Sequence, residues 1–374
     1  MKIKIVGAGW YGCHLASVLR RQSGRAIKPI HEITLVDKAG IFAGASGANQ
    51  SRLHQGWHYP RCSVTRKCSQ KFRKEFLWFY GFLTSKIDQC IYAVADESIM
   101  DWSSYMGSML QSDPGEHSVI LRSEPGEASS LVYGGRRGNQ DGARECLWMH
   151  NGPFPVTNLQ GAVSVDESLI LEDRAKEYFS QALGDIFSVE ERIKALPVAL
   201  SSPDYDVVID CTYAAFHDRG VECYEPCVLW RLKGNGRVGF TVMDGNFGSI
   251  MPSYMGGGEV TLTGPEHTPI ARVETYAEAV EAVVKFNNSG EWQIDNRKKQ
   301  YAVMRHFIPD MDTLYPECLG FRMGIRAKPK GPADTRQCEV FRGEGNVIHV
   351  RPGKIDAIFI AEEKIVRELG GATI

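Results

Sequence analysis

The residues best suited to chemistry open the chain. Gly7-Ala8-Gly9-Trp10-Tyr11-Gly12 follows a short apolar run at 3–6 and leads into residues 13–19 at helical spacing. Strand, glycine turn and helix in that order suit a dinucleotide. Gly7 permits the tight turn, Gly9 lets backbone approach a pyrophosphate, and Gly12 lets the helix pack on the strand. Trp10 and Tyr11 sit inside the turn. Unpaired N–H groups at the helix start, with the helix dipole, favour phosphate there. A second apolar run, 33–36, ends in Asp37 with Lys38 beside it. A carboxylate roughly 20 residues past the turn grips a ribose hydroxyl. The acid favours an unphosphorylated ribose, as in NAD or FAD.

A second cluster follows at 43–60. Its first half is small residues, including Ala45 and Ser46; its second half carries Arg52, His54, His58 and Tyr59. Small residues let backbone pass close to a ligand. Four polar and aromatic side chains in so short a span point to a site rather than a linker. No Ser/His/Asp set or paired carboxylates stand out. Ten cysteines at 13, 62, 68, 90, 146, 211, 223, 227, 318 and 338 form no Cys-x-x-Cys pair, so free thiols in a reducing cytoplasm are expected and no metal is inferred.

Gly7–Gly12, Asp37 and the Gly-Ala-Ser-Gly loop leading to Arg52-Leu53-His54-Gln55-Gly56-Trp57-His58-Tyr59-Pro60 resemble the FAD-dependent oxidoreductases of the D-amino-acid oxidase and glycine/sarcosine oxidase superfamily. The resemblance implies that Ala45 and Ser46 touch the FAD phosphates, and that Arg52, Leu53 and His54 lie near the isoalloxazine ring. It implies that the apolar strand at 206–212 ends beside FAD at Cys211 and Thr212, although Tyr213 stands where the family has glycine. Gly324-Ile325-Arg326 is similar to the family's Gly-Leu-Arg segment, whose arginine faces a substrate carboxylate. The planar guanidinium suits that role because it makes two parallel hydrogen bonds. Arg336 is a second candidate, and Tyr254, just past a strand, a third pocket residue. Pro352-Gly353-Lys354-Ile355 resembles the turn that aims a helix start at the flavin N1–C2=O edge, where N–H groups and Lys354 stabilise negative charge.

The family likeness implies oxidation of a C–N bond in an amino acid or N-substituted glycine. A hydride passes to flavin N5 and the imine then hydrolyses; His54 or His58 tunes the amine or the flavin. Three other readings stay open. One is lyase-like release of a glycine unit from a nucleotide or DNA-borne amine. The second is a 2-hydroxy-acid dehydrogenase on the same scaffold, and the third a non-catalytic flavin-binding protein. The basic stretch at 61–74, with Arg61, Arg66, Lys67, Lys71, Arg73 and Lys74, reads either as a solvated helix face or as a patch for nucleic acid.

These residues need an α/β scaffold: a discontinuous Rossmann-like FAD-binding domain (1–90, 150–220 and 320–374) with an inserted, mostly antiparallel β-sheet substrate domain (91–149 and 221–319). The spacing of Phe72, Phe76, Phe79, Tyr80 and Leu83 predicts a helix over 65–86. Helices are also predicted at 171–183, at 274–287 with Tyr276, Val280, Val283, Val284 and Phe286 broadly on one side, and from the Gly-Lys turn to 369. Strands are predicted at 91–95, 118–121, 238–242, 248–251, 259–263 and 346–351, with 161–166 returning to the cofactor domain and a surface loop over 124–142. The 374 residues suffice for two domains, and 43% hydrophobic with 24% charged residues is ordinary for a globular protein. A net charge of −2 gives no general pull toward nucleic acid or membrane. No leader and no membrane-crossing run is expected.

Overall fold

A computed structural model describes residues 1–22, 29–111, 117–122, 129–130, 155–190, 200–234, 236–331 and 338–370. A six-stranded sheet carries the cofactor side. Its order is Phe187–Val189, Glu32–Asp37, Lys2–Val6, Val207–Asp210, Val347–Arg351 and Glu339–Arg342. All neighbours run parallel except the last pair. Ile5 stands opposite Leu35 on one side and Ile209 on the other, and Ile209 opposite Ile348. Strands covered on both faces read as continuous apolar runs, which is why these segments lack alternation. Helices Trp10–Gln22 and Ile358–Glu368 cover the sheet, and Trp10, Phe42, Phe76, Phe179 and Phe359 join its core.

The second sheet has eight strands. The order is Glu317–Pro329, Val221–Lys233, Glu259–Thr263, Ser249–Pro252, Val238–Met243, Gln89–Ala95, Leu159–Val165 and His117–Arg122. It is antiparallel except where Val238–Met243 runs parallel to Gln89–Ala95. The architecture is thus a parallel α/β layer plus a mostly antiparallel sheet. Sheet membership moves two proposed boundaries. The segment at 161–166 pairs with Gln89–Ala95 instead of returning to the cofactor sheet, and Glu317–Pro329 lies wholly in the large sheet.

Three expectations are corrected. The helix expected over 65–86 is Ser63–Tyr80, followed by a 3-10 turn at Gly81–Leu83 and a strand at Thr84–Lys86. The Thr84 hydroxyl donates to the Gly81 carbonyl at 2.8 Å, and the strand pairs with Ser168–Ile170; this pairing outcompetes helix propensity. The helix over 274–287 is Tyr276–Asn287, and it buries Ala279, Ala282 and Phe286 while Val280 and Val284 face outward. A capping box between Thr275 and Glu278 sets its phase, and the alanines let it approach strand Val221–Lys233. Of the surface loop expected over 124–142, only Ser129–Ser130 lies within the described residues, as a short strand paired with Pro155–Val156.

A candidate FAD and substrate cavity

A cavity of about 1780 Å³ lies between the two sheets. Small-molecule sites run ~300–1,000 Å³, so this one has room for a dinucleotide and a second molecule. At one end the backbone bends sharply at Gly7, with φ +101°. A Cβ on Gly12 would lie 1.8 Å from the Gly7 carbonyl oxygen, so only glycine lets the helix start this close to the strand. The Ser46 hydroxyl, in the 3-10 turn Ala45–Gly47, accepts from the Trp10 N–H at 3.1 Å. Asp37 accepts from the Ala8 N–H at 2.8 Å and from the Ala39 N–H at 2.9 Å, so its carboxylate is held at the cavity wall. Lys38 places its ammonium 5.7 Å from the Tyr276 ring centroid.

The closing turn meets the opening one. Tyr11 donates its hydroxyl to the Lys354 carbonyl at 2.6 Å and accepts from the Gly353 N–H at 3.1 Å. Pro352, Gly353, Lys354 and Ile355 line the same cavity as Gly7, Gly9, Cys211 and Thr212. Thr212 donates twice to Asp210, which ends the central strand. Tyr213 and Ala214 both take left-handed φ, 63° and 61°. Glycine adopts that geometry freely, whereas Tyr213 holds it at a cost of about 1–2 kcal/mol. The cradle of close backbone approaches, small residues and a tethered Asp37 fits FAD.

The middle of the cavity carries the titratable groups. His54 and His58 line it, their ring centroids 5.3 Å apart. Behind His54 is Glu167, fully buried and unanticipated from sequence. Its Oε1 is 3.7 Å from His54 Nδ1, and it accepts from the Tyr92 hydroxyl at 2.9 Å and the Gln55 N–H at 3.0 Å. Burial works to raise the Glu167 pKa, but His54, Arg52 and the Gln55 N–H hold it down, at about 2. Burial, with Lys354 and Arg52 nearby, drives His54 down to about 3 against the pull of Glu167. The imidazole is therefore neutral beside an ionised carboxylate. Arg52 donates to the Thr241 hydroxyl at 2.9 Å. Lys354 sits 4.2 Å from the Tyr59 ring centroid.

Other expected residues lie elsewhere. Leu53 is wholly in the core and does not line the cavity. Tyr59 is buried behind the wall. Tyr254 lies outside the cavity lining, stacked under Arg322 at 4.7 Å beside Glu172. That buried glutamate is raised to about 7 by burial, against the Ser51 hydroxyl and Arg322. Arg326 reaches the cavity but is engaged: its Nε donates to Glu225 at 2.8 Å, and Arg272 holds the other oxygen at 3.0 Å. Burial opposes the Arg326 charge, yet Cys227 and Glu225 keep its pKa above the arginine norm. Arg336 lies outside the described residues.

Of the basic stretch, Arg66 is buried on the Tyr59 and Pro60 carbonyls, Arg61 pairs with Asp244, and Arg73 donates to the Asp166 carbonyl. Lys67, Lys71 and Lys74 are exposed. Outside the cavity, Asp210 and His349 are paired at 2.7 Å beside His217, and these three offer metal-type atoms within 4.8 Å of one another. Among the described residues no helix is long and apolar enough to cross a membrane.

No family model matches the chain. It is 29% identical to "FAD-dependent monooxygenase FPY4" of Fusarium mangiferae over 371 residues, covering 97% of this chain and 89% of the relative. Among solved structures it resembles glycine oxidase from Geobacillus kaustophilus, with TM-score 0.62 at 10% identity, covering 100% of this chain and 95% of that one. It also resembles NikD, an unusual amino acid oxidase essential for nikkomycin biosynthesis, with TM-score 0.61 at 10% identity over 99% and 93% of the two chains. The sequence likeness to an FAD-dependent monooxygenase, together with the fold and the cavity, makes the chain an FAD-dependent oxidoreductase. Within that class, the chain is similar in sequence to a fungal monooxygenase and in fold to glycine oxidase.

Proposed function

We propose that the protein binds FAD in this cavity and oxidises a C–N bond of a small amine or amino acid. The observation that carries the reading is the Tyr11 hydroxyl, which ties the closing Gly-Lys turn to the opening glycine helix and so makes one crevice from both ends of the chain. Gly7, Gly9, Asp37, Ala45 and Ser46 would hold the dinucleotide, with Gly353 and Lys354 at the ring end. Bound FAD supplies a two-electron acceptor. The chain supplies position and orientation. His54, neutral and held beside Glu167, offers a ring nitrogen that accepts a hydrogen bond from the substrate N–H and so orients the nitrogen lone pair. Lys354 adds positive potential at the same wall.

The test is anaerobic mixing of the holoenzyme with amino acids, N-substituted glycines and hydroxy acids while following flavin absorption. Bleaching by amines, with ammonia or glyoxylate released on turnover, supports the reading; bleaching by hydroxy acids alone sinks it. Arg326, the expected carboxylate clamp, is already committed to Glu225, which leaves the carboxylate of an amino acid and of a hydroxy acid alike without that partner. Oxidation of a hydroxyl-bearing carbon would use His54 in the same way. Release of a glycine unit from a nucleic-acid carrier has less support, because Arg61, Arg66 and Arg73 are tied to the protein's own groups.

A further inference from the structure

Helix Tyr276–Asn287 presents two apolar faces. The inner face packs on strand Val221–Lys233 through Ala279, Ala282 and Phe286. The outer face carries Val280, 39% exposed, and Val284, 52% exposed, with Val283 between them. An exposed helix face is ordinarily polar. Here the three valines share a stripe one turn long, and all three line the cavity that holds His54 and Gly353. The capping box at Thr275 and Glu278 fixes the phase of the helix, so the stripe is not core that has slipped outward.

Tyr276, at the helix start, meets Lys38 next to the tethered Asp37, which marks the dinucleotide end. Val280 and Val284 lie one and two turns further on, about 6 and 12 Å along the axis. They lie that far from Tyr276 along the helix and line the same cavity. The charged neighbours at the rim, Glu281, Arg272, Lys328 and Glu222, are of mixed sign and select no ion.

We propose that this stripe is an apolar subsite for the non-reacting arm of the substrate, and that the substrate carries an alkyl or aryl chain. The inference rests on the oxidation reading only for where the reacting carbon lies; an arm on a hydroxylated substrate would use the same wall. Because the exposed stripe also lines the cavity, the ligand assigned to it is one that enters with the substrate.

The test is a homologous series of N-alkylglycines, ethyl to octyl, titrated calorimetrically into the FAD-loaded protein, with anaerobic bleaching followed separately. Affinity should rise about threefold to fourfold per methylene. The double variant Val280→Ser/Val284→Ser should flatten that slope. Val64→Ser, which alters an equally exposed valine outside the cavity lining, should not. A dissociation constant independent of chain length, an unchanged slope in the double variant, or no binding by any member overturns the subsite. Binding with the expected slope but no bleaching by any member sinks C–N oxidation and leaves the subsite standing. Bleaching without a slope does the reverse.

Discussion

At the scale of the residue, the pairing of His54 with Glu167 decides what chemistry the cavity can support. Replacing His54 by alanine should cut the rate of anaerobic flavin reduction by roughly 10-fold, the worth of one orienting hydrogen bond. Glu167→Gln should lower the rate through His54, because the carboxylate that sits beside the imidazole and anchors Tyr92 and Gln55 is lost. A lowered reduction rate with FAD content and melting temperature unchanged separates this from simple unfolding. Glu172 gives a stability prediction. Its folded pKa of about 7 lies above the ordinary ~4.3 of an unfolded glutamate, so the folded state holds the proton longer. Its contribution is fully present below about pH 4 and is lost as pH rises toward 7. Glu172→Gln should therefore melt higher than the parent at pH 8 by more than it does at pH 5, as calorimetry at the two pH values would show.

At the scale of the element, the glycine turn, the Tyr11 link and the Gly-Lys turn hold the cofactor side together. A methyl group on Gly12 would overlap the Gly7 carbonyl at 1.8 Å. Gly12→Ala should cost about 1–3 kcal/mol and release FAD, read by melting temperature and by flavin retained after gel filtration. Tyr11→Phe removes a donor to Lys354 and an acceptor for Gly353. It should weaken FAD binding about tenfold, since one net hydrogen bond is worth roughly 1 kcal/mol or a little more, and equilibrium dialysis would measure it. Elements of this kind were legible in sequence because their signals are local: a glycine spacing, an apolar run, a turn before a helix. Helix Gly290–Arg305 was not, because its inner face mixes Asn296 and Gln300 with Tyr301 and Met304. Asn296 accepts from the Trp230 indole and Gln300 donates to Asn296, so no apolar period marks it. The long strands Val221–Lys233 and Glu317–Pro329 were hidden likewise, by Glu225, Arg322 and Arg326, charges that make sense only once folding pairs Arg326 with Glu225 and sets Arg322 near Glu172 and Glu259. Glu167 gave no signal at all: it follows a strand by two residues and meets His54 only through folding.

At the scale of the whole molecule, the cofactor sheet is assembled from six separated stretches between residues 2 and 351, while the larger sheet interrupts it twice. The division into a parallel layer and an antiparallel one was readable from the kinds of strand each segment makes. The points of crossing were not, because a strand's sheet is chosen by its neighbour and not by its own residues. The central strand Val207–Asp210 is flanked by Lys2–Val6 and by Val347–Arg351, the latter drawn from the last part of the chain. During synthesis the outer edge of that strand stays bare until its neighbour leaves the ribosome, and bare edges recruit foreign strands. Nor is the Tyr11 hydroxyl engaged before then. Flavin supplied to a growing chain would find half a clasp, so loading should wait until residues 347–354 have been made and have reached Tyr11.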